Sequence, residues 1–431
     1  MTTSSTARLT RIVPVLGAAS VLALVLAGCG GNVTPTETSG ASGLDPASAA
    51  DATGDVTVCG PTDSSGVWGA TVDAFNSSQD AVTADYIELG SSADDQLQQI
   101  NQRMQTESTQ CDILRLDVVW TAQLASQGYL ADMSAVIDDK LDALIPSTAE
   151  TLHYDDKYWG VPFYPNTGLL YYRTDLVDQP TSWQGLYANG EENPANGFLY
   201  QAEQSEGLTI SFLEILYSAG GEILDTDGNV AVDNATTTEV LQFMQDGLAD
   251  GASPRSVVTY NEDATRLAFE AGSGATMRNY PFAYAAGQQS AIADKFAVAP
   301  LPAWDEDGVG IGVLGGSNVA VSAFSENPSA ALALIDFMTS EDWQEQIAIN
   351  NSLAPAVTAA YEAPEVQEAL PFSQELYTAL QSAKSRPVTP VYPQVSQAIY
   401  QTVGEVLSGD LTPEDATTQM AERIQEALDT F

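Results

Sequence analysis

From Asp55 onward the apolar positions follow two periods in turn. Short apolar or alternating runs at 55–59, 82–88 and 112–118 predict strands, and helical spacing at 67–77 and 92–107 predicts helices between them. Strands separated by helical stretches are the pattern of a parallel sheet with crossover helices, so the chain reads as α/β. A hairpin is expected next, with Thr151 to Tyr154 and Tyr158 to Phe163 flanking the polar turn Asp155-Asp156-Lys157. The apolar run Thr167-Gly168-Leu169-Leu170-Tyr171-Tyr172 follows at once and is expected to cross into a second lobe.

Between about 175 and 295 helical periodicity dominates, most clearly at 207–220, 236–251 and 261–271. The segment 314–322 reads as a buried strand, and 328–338 and 341–350 read as helices. Three more helices are expected at 366–382, 394–408 and 412–429. The last opens on Thr412-Pro413-Glu414-Asp415, a cap followed by Pro in the first turn.

The first residues have a different character. Arg8 and Arg11 precede an apolar stretch from Ile12 to Ala27 that ends in Leu26-Ala27-Gly28-Cys29. This is a charged region, an apolar region and a small-residue cleavage site, so 1–28 is expected as a signal peptide. The stretch is shorter than the roughly 20 residues a membrane span needs, and Pro14 interrupts it. Its end resembles the bacterial lipobox, which makes Cys29 the lipidated first residue of the mature chain. Residues 29–54 are small, polar and rich in Pro, Gly, Ser and Thr, and are expected as a disordered tether. Cys59 and Cys111 then lie outside the cell at strand edges, where an internal disulfide is expected; the alternative is two buried free thiols.

Charge and composition narrow the chemistry. The 431 residues hold 14 Lys plus Arg against 58 Asp plus Glu, a net charge of -44, and removal of Arg8 and Arg11 makes it more negative. A polyanion needs Lys and Arg to displace its counterions, so nucleic acid is excluded as a partner, and an anionic membrane surface is disfavoured for the same reason. His153, the one histidine, rules out a two-His metal site and leaves a single imidazole base, in an acidic hairpin where a structural role is favoured. No metal or cofactor is expected. Gly310-Ile-Gly312-Val-Leu-Gly315 fits a dinucleotide fingerprint by letter, but it follows an acidic turn and leads into an apolar strand, whereas the fingerprint needs strand before and helix after. Asp225-Thr-Asp-Gly-Asn229 has its Gly two places early for a calcium loop and no closing Glu, so a hairpin turn is expected.

Aromatic and small residues at element ends stand out instead: Trp120, Tyr164, Tyr280, Trp304 and the pair Gly315-Gly316. A neutral polyhydroxyl ligand needs flat apolar faces, carboxylates and amides for hydroxyl hydrogens, and a planar guanidinium. Asp117, Asn166 and Arg386 are candidates for the polar part. Two other functions remain open: a secreted glycosidase using a pair of carboxylates, and a binding lipoprotein for a non-sugar solute such as a polyol, peptide or osmolyte.

Several segments in order resemble the extracellular sugar-binding lipoproteins of ABC importers, in particular the trehalose/maltose-binding branch. They are the lipobox, Leu116-Asp-Val-Val-Trp-Thr-Ala-Gln-Leu124, Tyr164-Pro-Asn-Thr-Gly-Leu-Leu-Tyr-Tyr-Arg173, Met277-Arg-Asn-Tyr-Pro-Phe-Ala-Tyr284, Leu314-Gly-Gly-Ser-Asn-Val-Ala-Val-Ser322 with Asn327-Pro-Ser-Ala-Ala331, and Ser385-Arg-Pro-Val-Thr-Pro-Val-Tyr392. The resemblance implies a periplasmic-binding-protein-like fold of two α/β lobes with a multi-strand hinge. One lobe would hold 55–165 and 317–357, the other 166–316 and 358–431. It further implies a monomer, lipid-anchored on the outer face of the cytoplasmic membrane, that closes on an α-linked disaccharide and hands it to a permease without catalysis. Matched motif by motif, the sugar-binding residues implied are Asp117, Trp120, Tyr164, Asn166, Tyr280, Gly315, Gly316, Ser317 and Arg386, with Asp63 and Ser64 in the loop after the first strand. Asn166 stands where the branch has an acid and Ser317 where it often has Trp, a lost ring that Trp304 is a candidate to replace.

Overall fold

The computed structural model describes residues 44–431 apart from 64, 91, 92, 306 and 307; the expected signal peptide and Cys29 lie outside the described residues. In chain order the strands are β1 Gly54–Gly60, β2 Val82–Glu88, β3 Ile113–Asp117, β4 His153–Tyr154, β5 Lys157–Tyr158, β6 Val161–Asn166, β7 Leu169–Arg173, β8 Phe198–Leu199, β9 Thr276–Asn279, β10 Phe296–Pro300 and β11 Gly315–Val321. They form two main sheets, ordered β2-β1-β3-β11-β6 and β10-β7-β9-β8, and a small hairpin of β4 and β5. β1 runs parallel to β2 and β3, and β11 runs antiparallel to β3 and β6. Strand burial follows position in the sheet. The edge strand β2 alternates buried and exposed residues, whereas Ser317 to Val321 of the internal β11 are all buried.

Each sheet has its own core. Val56, Val58, Ile113, Leu114, Phe163 and Val319 belong to the first, and Leu169, Tyr171, Phe198, Phe212, Val240 and Ile399 to the second. The chain leaves the first sheet for the second at Thr167–Gly168, between β6 and β7, and returns just before β11; after β11, Val357 belongs to the first core and Tyr361 to the second. The first two passages pack tightly. A Cβ on Gly312 would lie 2.1 Å from the Thr167 hydroxyl oxygen, and one on Gly168 would lie 2.2 Å from a Glu214 carboxylate oxygen. This is a two-lobe α/β architecture with a multi-strand hinge.

The structure departs from the sequence expectations in several places. The end of the expected tether is ordered: the Asp45 carboxylate accepts from Ala47 N at 3.1 Å and caps a 3-10 turn, Pro46–Asp51. Leu44 N donates to the Asp132 carbonyl, and Ala52 is buried in the first core. Small alanines pack closely enough here to order a segment with little apolar area. The helix expected at 366–382 is two, Pro364–Ala369 and Ser373–Ser382, because Pro371 cannot donate within a helix. The hairpin turn is tighter than expected. Asp155 and Asp156 both adopt positive φ, 51° and 58°, which matches the strand twist and leaves Lys157 in β5. Cys59 and Cys111 are fully buried and joined by a disulfide with their Cα atoms 5.6 Å apart.

Candidate functional site

Strand register brings the first group of residues together. Ser317 pairs with Asp117 on one side and with Tyr164 on the other, while Gly315 pairs with Asn166 and Gly316 with Pro165. Asp117, Ser317 and Tyr164 thus form one row at the carboxyl end of β3, the edge where open α/β sheets take their ligands. The ladder is irregular next to this row: β6 carries one residue more than β11, a bulge that re-aims Tyr164. Gly316 has φ 119°, and a Cβ there would lie 2.3 Å from the Tyr164 carbonyl oxygen, so only glycine fits.

The second sheet contributes from its corresponding edge. The loop after β8 leads into the helix Glu206–Ser218, whose first residue places a carboxylate at the positive end of the helix dipole. Arg386 joins the two lobes. Its Nη2 donates to Asp117 Oδ1 at 2.8 Å and its Nη1 to Glu206 Oε1 at 2.7 Å, with the side chain only 3% exposed. Burial alone would push the guanidinium down, but the facing carboxylates, Asp117 first, outweigh it and hold the group charged. Glu206 also accepts hydrogen bonds from Tyr392 Oη and Ser396 Oγ on the helix Tyr392–Ser408. The lobes meet closely here: the space among Val118, Thr121, Thr151 and Ser385 to Val388 is about 10 Å³, no more than one water needs.

The remaining candidates divide. Trp120 is 4% exposed, with the Arg115 guanidinium 5.6 Å from its ring centre. Ser317 is fully buried, and its Oγ accepts from Arg115 Nε at 2.7 Å, so it faces Arg115 and not solvent. Tyr280, half-buried at the end of β9, lies over the Arg278 guanidinium at 4.1 Å. Arg278 is itself locked by a fully buried pair with Glu214, at 2.8 and 2.7 Å, and by Gln201. Asp63 is engaged locally: its Oδ2 accepts from Gly69 N at 2.8 Å at the start of the helix Val67–Ser78. Ser64 lies outside the described residues. Trp304 packs edge-on against Phe243, which stacks on Tyr187, so its ring serves the second core.

Glu206, Arg115 and Tyr392 escaped the sequence reading. The signal for Glu206 was an acid directly after the capping residue Ser205, and for Arg115 a cation two places before Asp117 on the same strand face.

The rival motifs find ordinary structural roles. His153 is exposed and edge-on to Tyr158. Asp225 Oδ1 accepts from the amides of Asp227 and Asn229 in a turn closed by the Leu224–Val230 bridge. Gly315 begins a strand, with no helix after it. Among the described residues no group of three or more His, Cys, Asp or Glu is placed to hold a metal, and no helix is long and apolar enough to cross a membrane.

Comparisons with known proteins bear on the family and the overall fold. The family described as bacterial extracellular solute-binding protein matches residues 70–372. A probable ABC transporter-binding protein of Deinococcus radiodurans is 33% identical over 353 residues, 77% of this chain and 83% of its own length. The structure of the maltose-bound T. maritima MalE3 superposes with a TM-score of 0.79 at 31% identity, covering 87% of this chain and all of that one. The GacH receptor of Streptomyces glaucescens, solved unliganded and with acarbose, gives 0.76 at 25% identity, covering 88% of this chain and 99% of that one. The chain belongs to the family of bacterial extracellular solute-binding proteins.

Proposed function

We propose that this protein is the substrate-binding component of an ABC carbohydrate importer, gripping a neutral oligosaccharide, an α-linked disaccharide of maltose or trehalose type, between its two lobes. The observation that carries this reading is Arg386, buried at the lobe junction and hydrogen-bonded to a carboxylate from each side, Asp117 and Glu206. A guanidinium flanked by two carboxylates offers paired donors and acceptors to vicinal hydroxyls, and its one excess negative charge disfavours an anionic ligand. Maltose in the T. maritima relative and acarbose in the S. glaucescens receptor support the ligand class.

Ring chemistry favours a sugar over a cationic osmolyte. Trp120, Tyr280 and Tyr392 each carry a guanidinium near the ring, at 5.6, 4.1 and 5.6 Å. A ring already facing one cation is a poor cage for a second, whereas its apolar body still packs against a sugar face. Closure follows from differential contact: a ligand touching both sheet edges stabilises the closed lobes over the open ones, and a permease reads the closed shape. In this reading Cys29 carries the lipid that holds the mature chain at the outer face of the membrane, and Cys29→Ala moves the protein to the soluble fraction. The test is calorimetric titration with maltose and trehalose, followed by recovery of the sugar. Saturable binding with the sugar recovered intact is expected; no binding of either, or recovery of cleaved sugar, refutes the reading.

A further inference from the structure

We propose that Arg115 is a positioning residue for sugar binding, holding the ring of Trp120 and the backbone of Gly316–Ser317 where the ligand meets them without touching the ligand itself. The proposal rests on the carbohydrate reading above and names a residue that neither the motifs nor the row of Asp117, Ser317 and Tyr164 singles out. Arg115 lies on β3 opposite Val319, two places along β11 from Ser317. That diagonal is about 7–8 Å on one sheet face, within reach of a long side chain. The guanidinium uses three nitrogens in three directions: Nε to Ser317 Oγ at 2.7 Å, Nη2 to the Gly316 carbonyl at 3.5 Å, and Nη1 to Gln96 Oε1 at 3.3 Å. Its Cζ also lies over the indole of Trp120, 5.6 Å from the ring centre.

Two features make this fork more than a surface contact. Gly316, at φ 119°, has no side chain to restrict it, so its conformation is set by what surrounds it. Ser317 is wholly buried, and the bond to Arg115 fixes its hydroxyl. These residues begin β11, directly after a hinge passage, and Trp120 directly precedes the helix Thr121–Ser126, three residues after Asp117. One guanidinium therefore ties a hinge strand, an aromatic ring and the helix Ala93–Gln105 into a single arrangement beside the Asp117–Arg386 contact.

The experiment compares full-chain wild type with Arg115→Met, Arg115→Lys and Ser317→Ala, by calorimetry with maltose and trehalose. Each variant is repeated in a Trp120→Phe background, and the Trp120 fluorescence component is taken by difference. Arg115→Met is expected to weaken binding about tenfold or more, as for loss of a charge-assisted hydrogen bond. Arg115→Lys stays within about threefold of Arg115→Met, because an ammonium restores the charge but not the fork. The Trp120 component shifts with Arg115→Met, and the binding loss shrinks in the Trp120→Phe background, since positioned residues couple. Ser317→Ala, which removes a single oxygen and leaves the fold least disturbed, is expected to weaken binding about threefold or more. Unchanged affinity in Arg115→Met or Ser317→Ala, full rescue by Lys, or an unshifted Trp120 component overturns the proposal alone. A wild-type protein that binds neither sugar overturns the carbohydrate reading itself.

Discussion

Replacing Arg386 by Met tests the lobe junction, because Met keeps most of the apolar stem and removes only the charged fork. Two charge-assisted hydrogen bonds disappear, at 2.7 and 2.8 Å, each worth about 1.5–3 kcal/mol where solvent is excluded. The upper end does not apply. Asp117 and Glu206 keep 24% and 39% of their side-chain exposure, so once released they regain water and salt screening. A combined loss of about 3 kcal/mol is the reasonable figure, and it divides between two quantities. The Glu206 bond stays within one lobe and appears as folding stability, about 1 kcal/mol, or about 2 °C in a chain of this size. The Asp117 bond spans the lobes and, with the hydroxyl contacts the guanidinium would make, appears as affinity: a loss of about 2 kcal/mol, roughly thirtyfold in Kd. Calorimetric titration with maltose and thermal unfolding without it separate the two. An affinity within twofold of wild type would remove Arg386 from the ligand site, whatever the unfolding temperature did.

Three further outcomes are expected. Gly316→Ala forces a side chain against the Tyr164 carbonyl at positive φ and should destabilise the fold by about 2 kcal/mol or more in denaturant titration; a neutral substitution would show that the hinge strand relaxes freely. Replacing both Cys59 and Cys111 by Ala opens a link across 52 residues and should lower stability by about 4 kcal/mol on the chain-entropy estimate, and an unchanged unfolding temperature would contradict it. Burial pushes the Asp132 carboxyl up, but the Ser134 amide and hydroxyl and the Lys157 ammonium outweigh it and hold it below the usual range. Its stabilising contribution is therefore present above the unfolded value of about 3.9 and is lost as pH falls through the lower folded value. Asp132→Asn should cost about 1 kcal/mol at pH 7, with wild type and variant converging below about pH 4. A gap independent of pH would refute the assignment.

What the sequence made legible were features written in local periodicity. The runs at 55–59, 82–88 and 112–118 appear as Gly54–Gly60, Val82–Glu88 and Ile113–Asp117, because a half-buried or central strand must show its faces in consecutive residues. The helix expected at 412–429 appears as Pro413–Leu428, because cap, Pro and first-turn acids all point the same way. The chain from 44 to 52 was misread because composition reports how much can be buried, not how closely small side chains can approach. Motif resemblance supplied Asp117 and Arg386 separately. Their meeting depends on residues 269 apart in sequence, and the third member, Glu206, lies 180 from Arg386. Arg115 was equally hidden: its partner Ser317 is 202 residues away, and the pairing of β3 with β11 that joins them leaves no trace in either segment alone. Local pattern specifies elements; the chemistry of this site is set by which elements become neighbours.

The measurement that bears most directly on the account is thermal unfolding of the purified protein against maltose, trehalose, sucrose, cellobiose and xylobiose, with betaine and a dipeptide beside them. A ligand at about a thousand times its dissociation constant adds roughly 4 kcal/mol to the folded state, a shift of several degrees even for a chain this long. The account predicts that maltose or trehalose shifts the transition and is recovered intact. A shift with betaine or the dipeptide alone, or a sugar recovered as cleaved product, would contradict it.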